Sequence, residues 1–216
     1  KNKTKKSWRT MISPLVVFWL QIQTKKTKKD ICNRLNKYSK LEQLRNKYLF
    51  YSMFYIDPIE INANSFLRNT IAISYGWSLH LIRNQNEETD NAFRITIGHE
   101  LGHKAGDFHI STKSLISKNE KKLIFWSNEV HHDFYAAKIM VDCSRDALIS
   151  SMKYKIKLKK NNKSDLSHPS WVKRLYYAEH FDFNEDLIKQ IAIDTKCDNL
   201  ELVKEIVDFY GIIELK

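Results

Sequence analysis

The chain has 216 residues, 43% hydrophobic and 12% aromatic, and carries 36 Lys+Arg against 25 Asp+Glu, a formal net charge of +11. That length suits one domain with a real core and is short for two. The composition excludes a wholly disordered chain, and five Gly with three Pro exclude a collagen-like or Gly/Pro low-complexity protein and favour helices.

The charge is uneven along the chain. Residues 1–48 hold 14 Lys+Arg and two acids, Asp30 and Glu42, whereas residues 49–216 hold 22 against 23. The basic character therefore belongs to an N-terminal arm, and the end of the chain is acidic. The apolar run at 14–20 inside that arm is shorter than the roughly 20 residues that span a bilayer. A Lys-rich arm around an apolar segment suits contact with an anionic membrane surface, and fits a secretory signal poorly because Lys-rich residues follow it. A pro-segment lying over the cleft is a further reading of the same arm. Nucleic acid is the less favoured partner for it.

Apolar residues recur at helical spacing from Ile31 through Leu35, Tyr38, Leu41, Leu44 and Tyr48 to Met53, with Asp30 as cap, which predicts one or two helices over 31–55. The β-branched run 69–74 reads as a strand, with one sheet edge there. After a polar loop, 84–90, Thr89 or Asp90 can cap a helix over about 91–105 that Gly106-Asp107 stops. A loop of mixed polarity, 107–122, leads to helices at about 127–141 and 144–157. The lysines of 153–163 read as an exposed helix end and loop. Pro169 opens a further helix to about His180, and amphipathic helices near 185–194 and 200–211 complete the pattern. The fold class expected is α+β, predominantly helical, with a small sheet.

Chemistry concentrates at His99-Glu100-Leu101-Gly102-His103, an HExxH pattern on a predicted helix. Four residues are one turn plus about 40°, so both imidazoles project from one face and can share a metal ion, with Glu100 within reach of a water on it. A catalytic Zn2+ takes three protein ligands and leaves a position to water. Glu129 is the best third ligand: in Glu129-x-x-x-Asp133 the carboxylates lie one turn apart, so one can bind metal while Asp133 holds a ligand histidine by its other ring nitrogen. His109, His131 and His132 compete, His132 most closely, being offset by only about 60° around the helix.

The residues 62–66, 71–74 and Gly76, then His99 to His103, Glu129-x-x-x-Asp133-x-x-Ala136-Ala137 and His168-Pro169 with Arg174, together resemble the HtpX-like and CAAX-prenyl-endopeptidase type of gluzincin zinc metallopeptidase. The resemblance implies a zincin-like peptidase domain over 31–216, preceded by the arm at 1–30. It implies zinc held by His99, His103 and Glu129, Glu100 as general base, and an edge strand at 71–74 that binds a protein or peptide substrate by its backbone. It also implies that His168 and Arg174 approach the metal site and stabilise an oxyanion. Prenylated substrates are not implied, because no spanning helices are readable here.

An ImmA/IrrE-type regulator-cleaving gluzincin is the nearer rival, since its helix after the ligand reads much like residues 129–136. A non-catalytic zinc-containing binding module, docked through the basic arm, is the other. The intact Glu100 argues against that module, because a structural zinc site has no use for a general base. Cys32, Cys143 and Cys197 are odd in number and form no CxxC pair, which predicts reduced, buried thiols in a reducing compartment, cytoplasmic or membrane-associated.

Overall fold

The computed structural model of the chain describes residues 51–55, 62–66, 70–74, 77, 80, 84, 86–110, 116–158 and 162–216. Strands β1 (Tyr51–Tyr55), β2 (Ala63–Phe66) and β3 (Thr70–Ser74) precede helices α1 (Glu87–Ala105), α2 (Lys118–Met140), α3 (Arg145–Leu158), α4 (Trp171–His180), α5 (Glu185–Thr195) and α6 (Leu200–Tyr210). The described part is predominantly helical with a small sheet. The basic arm and most of the 31–55 periodicity lie outside the described residues.

Where that periodicity can be followed, it fails. Residues 51–55 are strand β1, paired in parallel with β3 from Tyr51↔Thr70 to Tyr55↔Ser74. The aromatic-rich sequence Tyr-Ser-Met-Phe-Tyr suits a pleated surface, and the pairing partner overrides the helical spacing. The sheet order is β1-β3-β2, with β2 antiparallel to β3. The expected edge strand at 71–74 is thus the central strand, both of its ladders occupied. The edge nearer the helices is β2.

α1 begins earlier than its first capping signals suggested. Asn86 is the cap: its side chain accepts from the Thr89 amide while the Thr89 hydroxyl answers the Asn86 amide, and Glu87, Glu88 and Asp90 favour the positive end of the helix. α2 likewise starts at Lys118 on a Ser117/Glu120 capping box, so most of the expected loop's second half is helix and Glu129 sits mid-helix. Both starts lie ahead of the expected ones because a capping box needs two residues to answer each other across a turn. α1 and α2 then cross closely. A Cβ added at Gly98 would lie 2.9 Å from the Ala136 Cα, and one at Gly102 would lie 2.6 Å from Nδ1 of His132. Only glycine admits this approach, and the approach brings the HExxH face against Glu129 and Asp133.

Two apolar clusters fix that crossing. One joins the sheet to α1 through Ile71, Trp77, Ile97 and Leu101. The other wraps α2 with α3 to α6 through Phe134, Leu148, Tyr177, Phe183, Leu187 and Ile206. An antiparallel bridge, Phe183↔Ile213, ties the C-terminal residues down. Lys155 departs from the exposed Lys-rich expectation: it is buried, its Nζ 4.6 Å from the Trp77 ring centroid. Cys197 is buried and Cys143 half-buried, both as free thiols. Among the described residues no helix is long and apolar enough to cross a membrane.

Candidate metal centre

α1 presents His99 and His103 one turn apart, and α2 presents Glu129 opposite them. Nε2 of His99 lies 3.3 Å from one Glu129 carboxylate oxygen, and Nε2 of His103 lies 3.4 Å from the other. Two atoms each about 2.0–2.1 Å from one tetrahedral ion are about 3.3–3.4 Å apart, so each gap, one to each carboxylate oxygen, is of the size found between two ligands of one ion. The three residues are close enough as a set to hold a metal ion. Two imidazoles and a carboxylate suit a divalent transition-metal ion.

Each histidine has a carboxylate behind it. His99 Nδ1 is 3.0 Å from Asp133 Oδ1. Asp133 is in turn gripped by Arg174, whose Nε donates to Oδ2 at 2.7 Å and whose Nη2 donates to Oδ1. Nη1 of Arg174 lies 3.4 Å from Glu129, and its guanidinium stacks over the Trp171 ring at 4.0 Å. Asp133 and Arg174 are 1% and 4% exposed, so this pairing is sealed from water. Burial pushes the Asp133 carboxyl up, but Arg174 and His99 outweigh it and hold the group below its ordinary range. Glu129 is held well below by the same balance, burial being outweighed by both histidines and Arg174.

Behind His103 stands Asp107, whose Oδ1 lies 3.2 Å from His103 Nδ1 and accepts from Nε2 of His132 at 2.7 Å. Burial disfavours a charged His103, yet its contacts with Asp107 and Glu129 prevail and raise it to about 10. Burial pushes the other way at His132, lowering it to about 4. The sequence marks Asp107 only as part of a helix stop. Its signal was the i,i+4 spacing from His103, obscured because Gly106 ends the helix between them at φ 128°.

Glu100 is 8% exposed and receives a hydrogen bond from the Ser65 amide of β2. Burial raises its pKa against the opposing pull of His99 and His103. His168 reaches the same place from the loop before α4: its Nε2 is 3.5 Å from Glu129, and the ring stays more than half exposed. The Asp165 carboxylate holds that loop by accepting from the Ser167 and His168 amides. Of the competing histidines, His131 stacks on Tyr210, and His109 is exposed. Pro169 precedes the α4 cap, Ser170.

His99, Glu100, His103, Glu129, His168 and Arg174 line a cleft of about 740 Å³ whose other walls include residues 62–65 of the β2 edge, Met152 and Lys155 of α3, and Trp171. Because the Asn62 carbonyl accepts from Ser74 of β3, strand alternation turns the Ala63 and Ser65 amide groups away from β3, that of Ser65 onto Glu100. Comparison with protein-family models, curated proteins and solved structures finds no match to this chain.

Proposed function

We propose that the protein is a zinc-dependent endopeptidase with a zincin-like fold, of the gluzincin type. The observation that carries the reading is the pair of gaps, 3.3 and 3.4 Å, between the two imidazoles and the Glu129 carboxylate, with Glu100 on the cleft side of the same helix. His99, His103 and Glu129 would hold the zinc, which would supply Lewis acidity for a carbonyl and for a water. Glu100 takes the proton of the attacking water and returns it to the leaving amine, a task that its raised pKa suits. His168, exposed at the cleft mouth, donates to the oxygen on which negative charge develops. Arg174 acts as a positioning residue, its donors engaged by Asp133 and Glu129 below the ligands.

The substrate is a protein or peptide in extended form, adding to the outer edge of β2 beside the Ser65 contact with Glu100, because β3 is paired on both sides. Glu100→Gln is the test. The variant keeps its zinc, measured as metal content, and loses cleavage of an unfolded polypeptide by about 10²–10⁴-fold. Unchanged cleavage by Glu100→Gln would overturn the assignment.

A further inference from the structure

Residue 107 follows a glycine at φ 128° and lies outside any helix, so the helix does not orient its side chain. The next residue is held on both sides. The Phe108 amide donates to the Tyr210 hydroxyl at 2.9 Å, that hydroxyl donates to Asn128 Oδ1 at 2.8 Å, and Asn128 Nδ2 donates back to the Phe108 carbonyl at 3.3 Å. This closed ring joins α2, the loop and the last turn of α6. The Tyr210 ring also lies nearly parallel to His131, centroids 3.8 Å apart and planes at 19°. Asn128 and Phe108 are buried, at 4% and 7% exposure.

His103, Asp107 and His132 form a second group close enough for a metal. Its 2.7 Å contact between His132 Nε2 and Asp107 is shorter than the roughly 3.3 Å that separates two ligands of a tetrahedral ion. It is a direct hydrogen bond, and the group is a support for His103.

We infer that Asp107 is a positioning residue for the metal ligand His103, and that Tyr210, distant in sequence on the final helix, sets Asp107 through the Phe108 backbone. The inference rests on the metal-centre reading above. Outer carboxylates of this kind fix the ring orientation of a ligand histidine, and their loss costs about 10- to 100-fold in metal affinity.

The test is zinc affinity of the full chain by chelator competition, with metal-free melting curves recorded alongside. Asp107→Ala weakens zinc binding by about 10- to 100-fold. Asp107→Asn, which keeps the accepting Oδ1, recovers most of that loss. Tyr210→Phe keeps the ring stack and weakens binding by less, and Asp107→Ala/Tyr210→Phe binds no more weakly than Asp107→Ala alone, because both act through one carboxylate. A merely structural Tyr210 would lower the melting temperature and leave zinc affinity unmoved. Wild-type affinity in Asp107→Ala, or multiplying losses in the double variant, overturns the inference while the wild type's zinc binding keeps the metal centre. Should Asp107→Ala fail to fold, unchanged affinity in Tyr210→Phe overturns it alone. A wild-type chain that takes up no zinc overturns both.

Discussion

The two candidate ligand histidines, His99 and His103, sit in contrasting surroundings. His99 is backed by Asp133 and Arg174, all on helices and all buried, so that its support is a sealed charge network. His103 is backed by Asp107 on a loop whose side chain is 29% exposed, and the loop is secured by polar contacts from another part of the fold. The first arrangement makes the site rigid at the expense of burying charge. The second leaves one ligand's support open to water and to whatever moves α6.

The contrast breaks most sharply at Arg174. Replacing it with Met leaves Asp133 and Glu129 buried with less compensation, and chemical denaturation is expected to show a loss of about 3–5 kcal/mol. A loss below about 1 kcal/mol would mean that the sealed side is no more dependent on its charges than the open one.

Next come the two glycines, one in the His99 turn and one in the His103 turn. Gly98→Ala drives a methyl against the Ala136 backbone, which cannot yield, and is expected to cost about 1–3 kcal/mol. Gly102→Ala meets the ring and the Cβ of His132, which is buried and tied to Asp107, so its cost in the same denaturation measurement should be of similar size. A clearly smaller cost at Gly102 would mean that the His103 side of the crossing can give.

The open side also titrates. A His103 raised to about 10 from the ordinary 6.5 contributes stability that is fully present below about pH 6.5 and is lost as pH climbs towards 10. The melting temperature of the metal-free protein should therefore fall from pH 7 to 10. Asp107, the other half of the same contact, is held below its ordinary range, burial being outweighed by His103 and His132, so its share is lost only in acid. On the proposed metal-centre reading zinc reverses the trend, since its ligands must shed protons, and zinc affinity should rise over the same interval. A flat metal-free profile would mean that His103 is neutral as folded. Smallest of all, Lys157→Ala removes an exposed pair with Glu88 that lies away from both histidines, and should shift stability by no more than about 1 kcal/mol.

How much of this was legible differs by feature. Turn-spaced residues were readable: His99, Glu100 and His103 share a helix, as do Glu129 and Asp133, and helices α3 to α6 fall close to their predicted ranges. Helix starts were less so, because Asn86 and Ser117 act only when Thr89 and Glu120 answer them. Residues 51–55 turned to strand because β3 lay alongside. Lys155, read as surface, packs on Trp77 because α3 turns that position inward.

By itself the sequence determined which side chains share a helical face, since 3.6-residue periodicity is a local property of the backbone. Only the tertiary structure decided that Glu129 meets both imidazoles, that β2 and not β3 keeps an outer edge, and that Tyr210 reaches the loop behind His103. Those outcomes depend on contacts between residues tens of positions apart, created when α1 and α2 close across their glycines, and no local pattern encodes the partner of a strand or a loop.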